Sequence, residues 1–116
     1  MSQDLIPAAL RAILLANGAR SAAGESIDPV PVVKLFTPDA GATWLLTEID
    51  PDHPTLAFGL CDLGLGCPEL GTVDLDEIAA VRGRFGLPVE RDEHFCETRT
   101  LSVLAELASE AGAILV

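Results

Sequence analysis

Cys61, Cys67, His94 and Cys96 are the side chains best suited by type to bind a metal or act as nucleophiles. Two thiols six positions apart, with a His-x-Cys pair further on, supply the donors of a tetrahedral zinc site. Neither spacing is the Cys-x-x-Cys knuckle that marks structural zinc sites, and the two pairs stand far apart along the chain. His53, the second histidine, falls in a turn. Thiol catalysis would also need a histidine and an orienting carboxylate meeting one cysteine in space. A small metal-binding or thiol-dependent enzyme using these four residues is therefore the secondary expectation. Small cysteines in strands and loops are more often packed than reactive. The main expectation is a chain that is no enzyme and holds no metal or cofactor.

The glycine-rich loop from Gly59 to Gly71 invites comparison with phosphate-binding loops, but the parts are wrong. Such loops open a helix and bring a basic side chain, whereas this one leads toward a strand and contains Asp62 and Glu69. Those two carboxylates would permit acid–base chemistry, yet turn capping or solvation explains them as well. The loop reads as structural, its glycines allowing sharp bends and close strand approach.

Charge is the stronger signal. The 116 residues carry 18 acidic against 7 basic side chains, a net charge of −11. From Glu48 to Glu97 lie twelve carboxylates against three arginines, −9 of that total. A field of this sign repels nucleic acid and anionic membranes and attracts basic protein faces. The expected interaction surface is Glu48, Asp50, Asp52, Asp62, Glu69 and Asp74, joined by Glu90, Arg91 and Asp92 with Phe95 as an anchor. Three cysteines, an odd number, make no closed disulfide framework, and no signal-peptide pattern or ~18-residue apolar run is visible. A cytoplasmic setting with reduced thiols is expected.

The elements that must position these residues read as one α+β domain over 1–116. Leu5 to Ala16 is a helix capped by Asp4, with Pro7 in its first turn and Asn17-Gly18 as its stop. Strands follow at Val30–Phe36 and Thr43–Asp50, with Pro31 placing the first near a sheet edge. Leu56, Phe58 and Leu60 share one face of a third strand, with Ala57, Gly59 and Cys61 on the other. Glu69–Val73 completes a meander. Asp74 then caps a short helix to about Val81, Leu87–Asp92 is a fifth strand, and Thr98 or Thr100 caps a last helix through about Glu110. Its stripe is Leu101, Leu104, Ala105, Ala108 and Ala111, and the Ala-Ile-Leu-Val ending should dock. The architecture expected is an antiparallel sheet of four to five strands with helices on one face.

Lys34-Leu35-Phe36, the run Thr43 to Glu48, the Gly-Leu-x-Asp-Leu-Gly-x-Gly loop from Gly59 to Gly66 and Glu90-Arg91-Asp92 together resemble an uncharacterised bacterial family, a domain of unknown function. The resemblance spans roughly Val32 to Leu107. It implies a small acidic protein of plasmids, integrative elements and phages, and it brings no catalytic residues. In that setting the expected function is a non-catalytic binding protein that meets a basic partner, for example to inhibit host defence machinery. A homodimer through an edge strand is compatible with the sequence.

Overall fold

Strand periodicity builds the centre of the molecule. The computed structural model describes residues 5–116, so the expected Asp4 cap lies outside the described residues. Four strands, β1 (Val33–Phe36), β2 (Thr43–Ile49), β3 (Leu56–Asp62) and β4 (Glu69–Asp74), pair in sequence order as the expected antiparallel meander. A fifth, β5 (Glu90–Arg91), crosses back to pair with β1, giving the order β4-β3-β2-β1-β5. Only two residues of the expected Leu87–Asp92 strand form its ladder, and β1 begins at Val33, three residues later than expected.

Helices cover both faces of the sheet, not one. Consecutive strand residues point to opposite sides. Leu46 joins Leu14 of helix α1 (Ala8–Ala22) and Leu75 and Ile78 of α2 (Leu75–Ala80) in one core cluster. Leu45 joins Leu101, Leu104 and Ala108 of α3 (Leu101–Ala111) in the other. Each fully buried Leu contributes about 1.5–3 kcal/mol, so two faces give a short chain more core than one could. The signal was present in β2, where Trp44-Leu45-Leu46 is apolar at consecutive positions, as in a strand covered on both sides.

Helix α1 runs six residues past its expected end, straight through Asn17-Gly18. The dipeptide docks the helix on the sheet. Opposite it, β2 carries a bulge: Leu46 pairs with Gly59 and Glu48 with Phe58, leaving Thr47 between them unmatched. The Asn17 side-chain amide donates to the Thr47 carbonyl at 2.9 Å, and the Thr47 hydroxyl donates to the Phe58 carbonyl at 3.3 Å. Gly18 lets the backbones close up, since a Cβ there would stand 1.7 Å from the Ile49 carbonyl oxygen. A turn preference in sequence yields here to a tertiary contact.

Asp74 caps α2 as expected, accepting from the N–H groups of Asp76 and Glu77. At α3 the cap comes from elsewhere. Thr100 occupies the N-cap position without a side-chain bond, and Asp28 accepts from the Ser102 N–H and hydroxyl across 74 residues of chain. The Ala-Ile-Leu-Val ending docks in part: Ile114 and Val116 pack against the α3 cluster while Leu115 stays exposed.

Candidate functional site

Strand order decides which of the expected site residues can act together. Glu69, Cys61, Trp44, Leu35 and Arg91 are successive partners across the whole sheet. With strands about 4.8 Å apart, Arg91 lies about 14 Å from Cys61 and about 19 Å from Glu69. Cys61 packs with the core cluster on the α1 face, whereas Phe95, between His94 and Cys96, packs on the α3 face, and the four donors do not gather as a metal-holding group. Among the described residues no group of three or more His, Cys, Asp or Glu is arranged to hold a metal. Burial, with the nearby Glu69 charge, pushes the Cys61 thiol above its usual range, which disfavours the thiolate that chemistry would need.

The acidic centre likewise divides. Glu48, Asp50 and Asp52 gather at the end of the β2–β3 hairpin and line one concavity of about 450 Å³. Phe58 and Thr72 contribute to its wall, as do Gly18 and Ser21 of α1, and among the described residues no basic side chain lines it. Asp50 is held below its ordinary value, first by the Asp52 N–H donated to its Oδ1 at 2.9 Å and then by His53 beside it. Glu48 and Asp52 have no ion-pair partner among the described residues. The three carboxylates thus share one hollow, and among the described residues the basic group paired with any of them is His53, 3.5 Å from Asp50.

The remaining members go elsewhere. Asp62 is a correction: it is 3% exposed and belongs to no surface. Its Oδ1 accepts from the Gly64 N–H at 2.8 Å and its Oδ2 from the Ile114 N–H at 2.9 Å, joining the glycine loop to the chain ending. Gly64, at φ +79°, takes the left-handed turn that this clasp requires. Glu69 starts the outer strand, and Asp74 is occupied as the α2 cap.

At β5 the charges are largely matched: Lys34 lies 3.7 Å from Asp92 and Arg91 3.9 Å from Glu93, with Glu90 exposed beside them. Phe95 is half-buried, one part of its ring packed against the α3 cluster.

Two carboxylates with long-range roles escaped sequence reasoning. Asp28 caps α3, and Asp39 Oδ2 accepts from the N–H groups of Phe85 and Leu87, 2.7 and 3.3 Å away. Each sits next to a proline in a turn-like stretch, and nothing local names a partner more than forty residues on.

The N-terminal approach to α3 carries its own electrostatics. Glu97 is held at about 2 rather than 4.5, chiefly by side-chain hydrogen bonds from Arg99, with its backbone N–H adding to them. Asp28 is also lowered, first by the Ser102 hydroxyl and then by the Ser102 N–H. Both folded-state values are depressed, so their stabilisation is complete above the unfolded values and is lost as pH falls through the folded ones. The protection factors of the Leu101 to Leu104 amides, exchange rates taken relative to the unstructured chain at the same pH, are therefore expected to fall between about pH 4.5 and 2. Glu97→Gln should accelerate exchange at pH 7 and remove its own part of the acid response. A flat profile across that window would contradict the assignment.

A five-stranded antiparallel sheet covered on both faces, with an acidic hollow free of basic side chains at one hairpin, defines an α+β protein with a negatively charged concave face. The chain belongs to the family described as Protein of unknown function (DUF2958), whose model matches residues 5–115. The match takes in α1 and most of the chain ending as well as the central blocks. Comparison with curated proteins and with solved structures returns no significant match. Among the described residues no helix is long and apolar enough to cross a membrane.

Proposed function

We propose that this chain is a non-catalytic binding protein that uses its acidic concave face to engage a basic protein surface, one that otherwise holds nucleic acid. The supporting observation is the hollow shared by Glu48, Asp50 and Asp52, with no base in its walls. Three carboxylates gathered around one hollow create a local negative potential that steers cationic partners. Within a mobile genetic element, such a face would let a small cytoplasmic protein occupy the nucleic-acid site of a host defence protein. The separation of Cys61 from His94 and Cys96 supports a binding role over thiol or metal chemistry.

The test is affinity purification from the native host with nucleases present, followed by a salt titration on the captured partner. Affinity should fall steeply from about 50 to about 500 mM salt, and Glu48→Gln with Asp52→Asn should weaken binding and flatten that dependence. An affinity unchanged across that salt range would sink the proposal.

A further inference from the structure

The two edges of the sheet are built differently. At one edge, β5 is a two-residue strand among matched charges, a short and charged edge of the kind that resists pairing. At the other, β4 is six residues long, and its centre, Leu70-Gly71-Thr72-Val73, is uncharged. Its ladder shows which backbone groups are spare. The Leu75 N–H donates to the Thr55 carbonyl at 2.7 Å, and bonded pairs alternate along an antiparallel ladder. The bonded pairs toward β3 are therefore Ala57 with Val73, Gly59 with Gly71 and Cys61 with Glu69. The Asp50 N–H donated to the Leu56 carbonyl agrees, since it turns the even-numbered residues of β3 toward β2. Leu70 and Thr72 are left with their N–H and C=O groups facing outward. Both residues are exposed, and a Cβ on Gly71 between them would meet no atom within 4 Å.

We infer that the β4 edge is where the partner docks, by adding an extended, basic segment as a sixth strand antiparallel or parallel to β4. The inference rests on the acidic-face reading and names the binding mode. Charge selects the occupant: Glu69 and Asp74 bracket the strand, and Thr72 also lines the hollow of Glu48, Asp50 and Asp52. A strand laid on Leu70 and Thr72 thus runs alongside that hollow, where its Lys or Arg side chains meet carboxylates. A second copy of this chain is the poorer occupant. It would bring both copies' Glu69 and Asp74 to one short ladder with no base to offset them.

The probe is a synthetic ten-residue peptide of alternating Lys and Val, compared with the same peptide N-methylated on alternate residues, which keeps its charge but removes the donors on one edge. With the plain peptide, the Leu70 and Thr72 amides of the full chain should gain protection from exchange. N-methylation should cost about tenfold or more in affinity, the worth of one lost main-chain bond or more. Thr72→Pro deletes an outward N–H without removing a bond to β3, so it should fold and bind at least tenfold more weakly. The inference is overturned if the plain peptide does not bind, if both peptides bind alike, or if protection appears away from Leu70 and Thr72. It is also overturned if the free chain is a dimer that Thr72→Pro dissolves, the second copy then being the occupant. Binding that weakens with salt and with Glu48→Gln, yet ignores N-methylation, overturns the edge alone and leaves the acidic-face reading standing. Binding that needs the edge but ignores salt overturns the acidic-face reading and, with it, the basic occupant inferred here.

Discussion

Replacing Gly18 by alanine is expected to lower the melting temperature by roughly 10 °C, although alanine is the better helix former. On propensity alone, Gly→Ala inside a helix gains about 1 kcal/mol. At this position the new Cβ would stand 1.7 Å from the Ile49 carbonyl oxygen and 2.7 Å from its carbon. Both are backbone atoms of a central strand and cannot swing aside as a side-chain tip would. The helix must lift, which costs the packing of Leu14 and the Asn17 bond to the Thr47 carbonyl. Overpacking of this kind costs about 1–3 kcal/mol and more against rigid neighbours, so the net loss should be about 2–3 kcal/mol. Asn17→Ala should cost about 1–2 kcal/mol by stranding a partly buried carbonyl. The double variant should lose less than the two losses combined, because a lifted helix no longer reaches Thr47. Thermal denaturation of the three variants measures all of this, and a Gly18→Ala protein melting higher than wild type would falsify the docking.

Asp62→Ala should be about as damaging, with a loss of about 3 kcal/mol. The carboxylate is almost fully buried and accepts two backbone N–H groups, from Gly64 and Ile114. Hydrogen bonds to charged groups are worth about 1.5–3 kcal/mol each, and their removal leaves two donors unsatisfied in a confined place. Asp62→Asn keeps the size but presents an amide N–H₂ toward one of those donors, so it should recover only part of the loss. Denaturant midpoints give the stability, and limited proteolysis should cut the freed chain ending ahead of Ile114. An unchanged midpoint in Asp62→Ala would show that the clasp contributes nothing.

These residues also show where sequence reading succeeds. Strand β1 was legible because period-two alternation reports burial directly: Val33 and Leu35 are buried while Lys34 and Phe36 are half-open. Gly18 was misread because Asn-Gly is a turn signal only where no neighbouring strand needs a close approach. The acidic face was legible as a charge excess and not as a site. Whether Asp62 points outward depends on where the chain ending docks, and whether Glu69 neighbours Glu90 depends on β5 crossing to the far edge. Those facts belong to topology, which no local spacing encodes.

The two-sided cover has a consequence for the order of events during synthesis. The meander closes through short turns, so its ladders can form as soon as β4 has emerged. Helix α1 is already present to cover Leu46 and Ile49. Leu45, Leu60 and Phe58 must wait for α3, which follows the whole meander along the chain. Until then the nascent chain presents an apolar sheet face beside an open edge, the combination most prone to aberrant association. Emergence of α3 is thus the step at which that face is covered, and a stall shortly before Leu101 should leave the nascent chain dependent on chaperones.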